Sequence, residues 1–179
     1  EFSGAWCGWC PDGAVIATNI STNFPGRAFV ITVHAGGGDP MEIPDGATIA
    51  GSYNDGYPTG VVDRQGLGVS RNQWTGQVNS RLNQVSSSAI SFDNVTFNAT
   101  TRLVTVDLNV LFDSPTTGDF VINCFVVEDN VTGGGAYNQA NYLNGQAGHT
   151  YYQAGDPIVG FVHRHTLRHA MGGAWGTTG

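Results

Sequence analysis

The segment Trp6-Cys7-Gly8-Trp9-Cys10-Pro11 sets two thiols two residues apart, just ahead of a proline suited to the first turn of a helix. A thiol at a helix N-terminus faces unpaired backbone N–H groups and the positive end of the helix dipole, which favours the thiolate. A second thiol at this spacing can reach the first and resolve a mixed disulfide. Thiol–disulfide exchange is the chemistry such a pair can do. The same pair can also be a permanently oxidised staple in an exported domain, and the residues leave both readings open. Other uses are excluded. No second Cys-x-x-Cys follows to complete a zinc site made only of thiolates, and Pro11 stands where c-type haem attachment needs histidine. The third cysteine, Cys124, lies in the apolar run 120–127 and reads as a buried, inert thiol.

Three further groups invite a ligand. On a strand, His163 and His165 would point to one face, with His169 nearby, which suits imidazole ligation of zinc or copper. No acidic residue or cysteine adjoins them, so no metal site is assigned. Glu128, Asp129 and Asn130 offer oxygen ligands for calcium, but their spacing matches no EF-hand loop. His34, ahead of Gly36-Gly37-Gly38, reads as a hydrogen-bonded residue at a strand end. No cofactor is expected. Asn19, Asn94, Asn98 and Asn130 each fit the N-glycosylation pattern, which an Asn- and Thr-rich chain also produces by chance.

The elements that must position the cysteines follow from periodicity. A helix is expected after Pro11, with Ala14, Val15, Ala17 and Ile20 as a loose apolar stripe, ended by Pro25-Gly26. Residues 28–33 form a short continuous apolar run, as in a central strand buried on both faces. A short helix is expected around 47–53 and a strand over 58–62. Trp74, Val78 and Leu82 recur every four residues, marking an amphipathic helix with Ser70 as its N-cap. Beyond Ser86-Ser87-Ser88 the period becomes two, at 90–92, 103–110, 120–127 and 158–162, with Gly, Pro, Asn and Asp turns between. The fold class predicted is α+β: an α/β domain over 1–86, then an antiparallel β-sandwich over 87–179 of Ig-like or jelly-roll-like kind. Residues 130–155 are polar and Gly-rich, too long for a simple hairpin loop, and are a place for function or an insertion.

Composition limits the partners. Of 179 residues only 12% are charged, against about 25% in an average domain. All the basic residues are arginine and the net charge is −7, which excludes a basic nucleic-acid footprint and a polybasic membrane patch. No apolar run approaches the ~18 residues of a membrane span, and no secretion signal is visible within the chain.

Gly56-Tyr57-Pro58-Thr59, taken with the cysteine segment, resembles the thioredoxin superfamily, in which the X-Pro-Thr is a cis-proline loop facing the Cys-x-x-Cys. The resemblance implies Cys7 as nucleophile, Cys10 as resolving cysteine, Tyr57, Pro58 and Thr59 as the loop that cradles substrate, and Glu1 as a buried proton relay. Trp6 and Trp9 would either shape a peptide-binding surface or cover the edge of the domain, and the residues leave both readings open. Trp9 and Pro11 stand where thioredoxins have Pro and Lys, so redox potential and direction do not carry over. The first strand of that fold would be missing from this chain.

Longer strings narrow the resemblance. Glu1 to Pro11, Val33-His34-Ala35 with Gly38 to Met41, Gly56 to Arg64, Asn123 to Asn130, Asn141 to Asn144 and Gly155 to His165 are similar to the Omp28-related outer-membrane proteins of Bacteroidota. That implies export to the outer membrane or cell surface, or secretion, and in many such proteins a further C-terminal region for type IX secretion. Two functions follow as expectations. One is a thiol–disulfide oxidoreductase acting on a protein or peptide partner. The other is a non-catalytic surface protein (adhesin, receptor or assembly component) that uses the α/β half as a scaffold. Oligomeric state is left open.

Overall fold

The computed structural model describes residues 1–115 and 117–178. Its elements run β1 (Phe2–Ser3), α1 (Cys10–Asn23), β2 (Val33–His34), α2 (Pro44–Tyr53), β3 (Thr59–Gly60), β4 (Val69–Ser70), α3 (Trp74–Leu82), β5 (Ser88–Asn98), β6 (Leu103–Phe112), β7 (Val121–Ile122), β8 (Cys124–Glu128), β9 (Thr166–Met171) and β10 (Thr177–Thr178). The fold mixes helices with small sheets, as the α+β expectation requires. A four-stranded sheet has the order β2-β1-β3-β4, with β1 parallel to β2 and antiparallel to β3, and β3 antiparallel to β4.

Two expectations are corrected in this sheet. The first strand is present, because Phe2 and Ser3 pair with Val33 and His34 on one side and Phe2 with Thr59 on the other. The long central strand over 28–33 is not formed. β1 offers only two residues as partners, so the ladder holds Val33 and His34, while residues 28–31 border an apolar cavity of about 420 Å³ shared with residues 60–63. Phe29 is accordingly exposed.

The helices follow their sequence signals closely. Pro11 occupies the first turn of α1, where a missing N–H costs nothing. Pro44 does the same for α2, which therefore starts earlier than the apolar residues alone suggested. Ser70 precedes a 3₁₀ turn over Arg71–Gln73 and makes no side-chain cap bond. Trp74 and Val78 turn inward from α3 against Ala17 and Ile20 of α1.

The chain divides into two compact units, one of Glu1–Leu82 with Phe120–Gly179 and one of Asn83–Asp119. This differs from a division near residue 87, because the later residues return to the first core. Leu167 of β9 is 1% exposed and packs with Phe2, Val33 and Ile49. β9 pairs with β8, and β7 with β10, each as a two-stranded antiparallel sheet.

The smaller unit is the hairpin β5–β6. Its register sets Ile90, Phe92, Val95 and Phe97 opposite Val110, Leu108, Val106 and Val104. A bulge between Phe92 and Asn94 changes the parity of β5, so that even-numbered apolar residues before it and odd-numbered ones after it share one face. Period-2 alternation thus predicted these strands, and the described residues beyond 87 pair in three two-stranded sheets.

Because Leu167 fills the core built from the N-terminal half, Leu167→Ala is expected to destabilise the larger unit by about 2–5 kcal/mol. Urea unfolding of the variant checks this. A loss below about 1 kcal/mol would mean that the C-terminal residues do not share that core.

Candidate functional site

The start of α1 carries the cysteine pair. Cys7 and Cys10 are joined by a disulfide, with Cα atoms 5.4 Å apart. Cys7 precedes the helix and Cys10 begins it. The connecting turn is closed by main-chain bonds from the Cys7 N–H to the Gly4 carbonyl (3.0 Å) and from the Cys10 N–H to the Cys7 carbonyl (3.1 Å). Both cysteines are buried, Cys7 at 5% and Cys10 at 1% exposure.

Gly13, one turn into α1, shows what packs behind the disulfide. A Cβ at that position would lie 2.7 Å from Glu1 Oε1 and 3.1 Å from Pro58 Cβ. The Glu1 carboxylate and the proline loop therefore both reach the helix at this point, and only a residue without a side chain leaves them room. The Tyr57-Pro58 bond is cis. Tyr57 packs edge-on against Trp6, with ring centroids 5.0 Å apart, and Trp6 Nε1 donates to the Gly36 carbonyl at 2.7 Å. Trp6 and Trp9 are exposed. Trp9 meets Tyr142 edge-on at 5.8 Å and lies under the Arg71 guanidinium, and Arg71 is paired with Asp12. Thr59 sits differently from its neighbours: it is buried, and its hydroxyl donates to Asn54 Oδ1 and the Gly56 carbonyl, inside the loop.

Glu1 is half-buried with its Oε1 shut off from solvent, and burial pushes its carboxyl pKa up. Thr32 Oγ1 donates to Glu1 Oε2 at 3.4 Å, while Oε1 has no hydrogen-bond partner among the described residues. Glu1 and Cys10 line the same cavity of about 320 Å³.

Residues 139–142 hold the cysteine turn from the other side. The Ala140 N–H donates to the Ala5 carbonyl (2.7 Å) and the Tyr142 N–H to the Gly8 carbonyl (2.9 Å). The Gln139 amide, buried at 1% exposure, points Nε2 at the carbonyls of Gly4 (3.1 Å), Ala5 (3.2 Å) and Cys7 (2.8 Å). With only acceptors around it, this end of the amide must be the NH₂. Gly8 allows the approach, since a Cβ there would lie 2.4 Å from the Tyr142 ring.

Asp39 anchors the turn in front. Its Oδ2 accepts the Ala5 N–H at 2.6 Å and its Oδ1 the Met41 N–H at 2.8 Å. His34 Nδ1 lies 3.1 Å from Oδ2. Burial acts to raise the Asp39 pKa, but these hydrogen bonds and the facing imidazole outweigh it and the pKa is lowered. His34 meets His163 edge-on at 5.1 Å, and His163 Nε2 bonds the Tyr137 carbonyl at 2.9 Å. Burial lowers the His163 pKa.

The Cys-x-x-Cys motif and the thioredoxin resemblance single out Cys7, Cys10, Glu1, Tyr57 and Pro58, and strand spacing makes His163 a metal-ligand candidate. None of these signals shows Gln139, Tyr142 or Asp39, whose partners are distant in the chain. The signals available were the polar stretch over 130–155 and the small residue between two tryptophans. The metal alternatives dissolve into other bonds. His163 and His165 do not share a strand face; His163 is buried against Tyr137, and His165 Nδ1 lies 3.5 Å from Asp129. Glu128 pairs with Arg168, and Asp129 accepts the His165 N–H. Cys124 is half-buried and free on β8. Among the described residues, no helix is long and apolar enough to cross a membrane.

Comparison with known proteins gave one family: the family described as outer membrane protein Omp28 matches residues 49–178. Neither the curated proteins nor the solved structures gave a match.

Gln139→Ala is expected to cost about 1–3 kcal/mol, since it removes several buried hydrogen bonds worth about 1 kcal/mol each while the Gly4, Ala5 and Cys7 carbonyls keep their main-chain donors, and to speed amide exchange at Ala140 and Tyr142. Unchanged exchange there would show that the amide does not hold the turn. Asp39 sets a pH dependence. Its folded pKa is lowered, so its contribution is present above the ordinary carboxylate pKa of about 3.9 and is lost as pH falls through the lower folded value. Asp39→Asn should therefore be less stable than the parent at neutral pH, with the gap closing in acid. A gap constant with pH would contradict this.

Proposed function

The chain belongs to the outer membrane protein Omp28 family, which places it at the outer membrane or cell surface, and from that premise we propose that it is an exported thiol–disulfide oxidoreductase. One observation carries the reading: one turn along α1 from the disulfide, at Gly13, both Pro58 of the Tyr57-Pro58 loop and the Glu1 carboxylate reach the helix. The order β-α-β-α-β-β-α over residues 2–82 and the sheet order β2-β1-β3-β4 support a thioredoxin-like architecture for this part. The apolar face of the hairpin β5–β6 is of the kind a second sheet covers in a sandwich.

In the proposed reaction the reduced Cys7 thiolate attacks a substrate disulfide. A Cys7–substrate disulfide forms and one substrate thiolate leaves. Cys10 then gives its proton to Glu1 and attacks the Cys7 sulfur, expelling the second substrate thiolate and closing the Cys7–Cys10 bond. The dithiol is oxidised and the substrate disulfide reduced by two electrons; the reverse sequence oxidises a substrate dithiol. The substrate is a protein or peptide cystine, lying along Trp6, Trp9 and the Tyr57-Pro58 backbone.

A second reading, a binding scaffold stapled by an inert disulfide, is favoured by the burial of both cysteines. Equilibration with thiol–disulfide buffers separates the two. The oxidoreductase reading expects a reduction potential above about −300 mV together with turnover of a disulfide peptide. A potential below that value, with no turnover, selects the staple. Surface binding that survives Cys7→Ser with Cys10→Ser would point the same way.

A further inference from the structure

The cavity behind Cys10 is more than the recess that holds Glu1. Its lining begins at the buried Cys10, His34, Gln139 and His163 and the half-buried Glu1, and reaches exposed residues at Asn19, Thr150 and Arg164. Its volume of about 320 Å³ has room for several water molecules. The unpartnered Glu1 Oε1 belongs to this lining residue. Two histidines face the same space, and each is held by a hydrogen bond. His163 Nε2 meets a main-chain carbonyl, an acceptor only, so it carries the hydrogen and leaves Nδ1 with its lone pair. His34 Nδ1 meets the Asp39 carboxylate and donates to it. Neither remaining nitrogen makes a hydrogen bond among the described residues.

Resting on the oxidoreductase reading above, we propose that this cavity is a proton passage, in which His163, held edge-on against His34, moves protons between the Glu1 carboxyl and solvent. The closing step of exchange leaves the Cys10 proton on Glu1. Glu1, which burial drives towards its protonated form, must give up a proton before it can take the one from Cys10, so the closing step itself waits on the passage. Water in the cavity takes it from Glu1 and delivers it to the open His163 nitrogen, from which it leaves past Arg164 and Thr150. Its return during disulfide reduction retraces the path, and no bond besides O–H and N–H changes. Burial pushes the Glu1 carboxyl pKa up and the His163 pKa down. The other titratable or charged groups on the lining or packed against it are the Glu1 α-amino group, Cys10 of α1, His34 of β2, Asp39 behind His34, and Tyr151, Arg164 and His165 on the later segments. His163 acts through Glu1 and is a positioning and relay residue, not one that touches substrate.

His163→Gln keeps an N–H donor for the Tyr137 carbonyl and removes the titrating nitrogen. The test follows the reduced protein mixed with an aromatic disulfide that releases a coloured thiolate, first on attack by Cys7 and again when Cys10 resolves the mixed disulfide. The passage predicts an unchanged first release and a second release about tenfold slower in the variant near neutral pH, with the parent's pH step flattened. Equal second releases overturn the passage and leave the oxidoreductase reading standing. No release at all from the folded parent overturns both. Should the variant fail to fold, the imidazole resonances of the parent decide: a His163 midpoint that moves between oxidised and reduced protein supports the passage, and an identical midpoint overturns it.

Discussion

A set of hydrogen bonds from residues 139–142 to the carbonyls of residues 4–8 is the constraint on which the rest of the site depends. The turn that carries the two cysteines into α1 pairs the Gly4 and Cys7 carbonyls internally but gives those of Ala5 and Gly8 no partner of its own, and buried carbonyls must be bonded. Gln139 and the main chain of Ala140 and Tyr142 satisfy them. The cost falls on sequence choice. Gly8 must yield space to Tyr142, and Gln139 must be buried deep in the molecule. The C-terminal stretch is therefore part of the cysteine site as well as of the core that Leu167 joins.

Around that turn the buried polar groups are arranged by acceptor and donor with little redundancy. Asp39 gathers two main-chain N–H groups and one imidazole, which holds it ionised inside the protein. Glu1 has only a weak partner in Thr32 and is driven towards its neutral form. Two carboxylates close to one disulfide are thus pushed in opposite directions by their surroundings, the pattern expected where one fixes geometry and the other exchanges protons.

Much of this was legible locally. The Pro11 position marked the start of α1, the four-residue recurrence of Trp74, Val78 and Leu82 marked α3, and alternation marked β5 and β6. What failed did so for reasons of pairing. The apolar run over 28–33 has the composition of a central strand, but a strand exists only to the length of its neighbours, and Phe2 and Ser3 are short neighbours. The grammar change near residue 87 is real, yet it marks the hairpin of the smaller unit, and the chain beyond Asp119 returns to the first core. Alternate positions made His163 and His165 look like a ligand pair, until the positive φ of His165 took it out of strand geometry. Glu1, the cysteines and Tyr57-Pro58 were recognisable because they lie in short strings. Gln139 and Asp39 act across long sequence separations, which no local pattern encodes.

The central claim is that the start of α1 activates Cys7, and the rate at which Cys7 is alkylated in the reduced protein as pH is varied tests it most directly. The account predicts a reactive thiolate whose titration midpoint lies below the free-cysteine value of about 8.5, in the range ~3.5–7.5 found at helix N-termini. A midpoint at or above that value, or alkylation that requires unfolding, would contradict it and leave the disulfide as a staple.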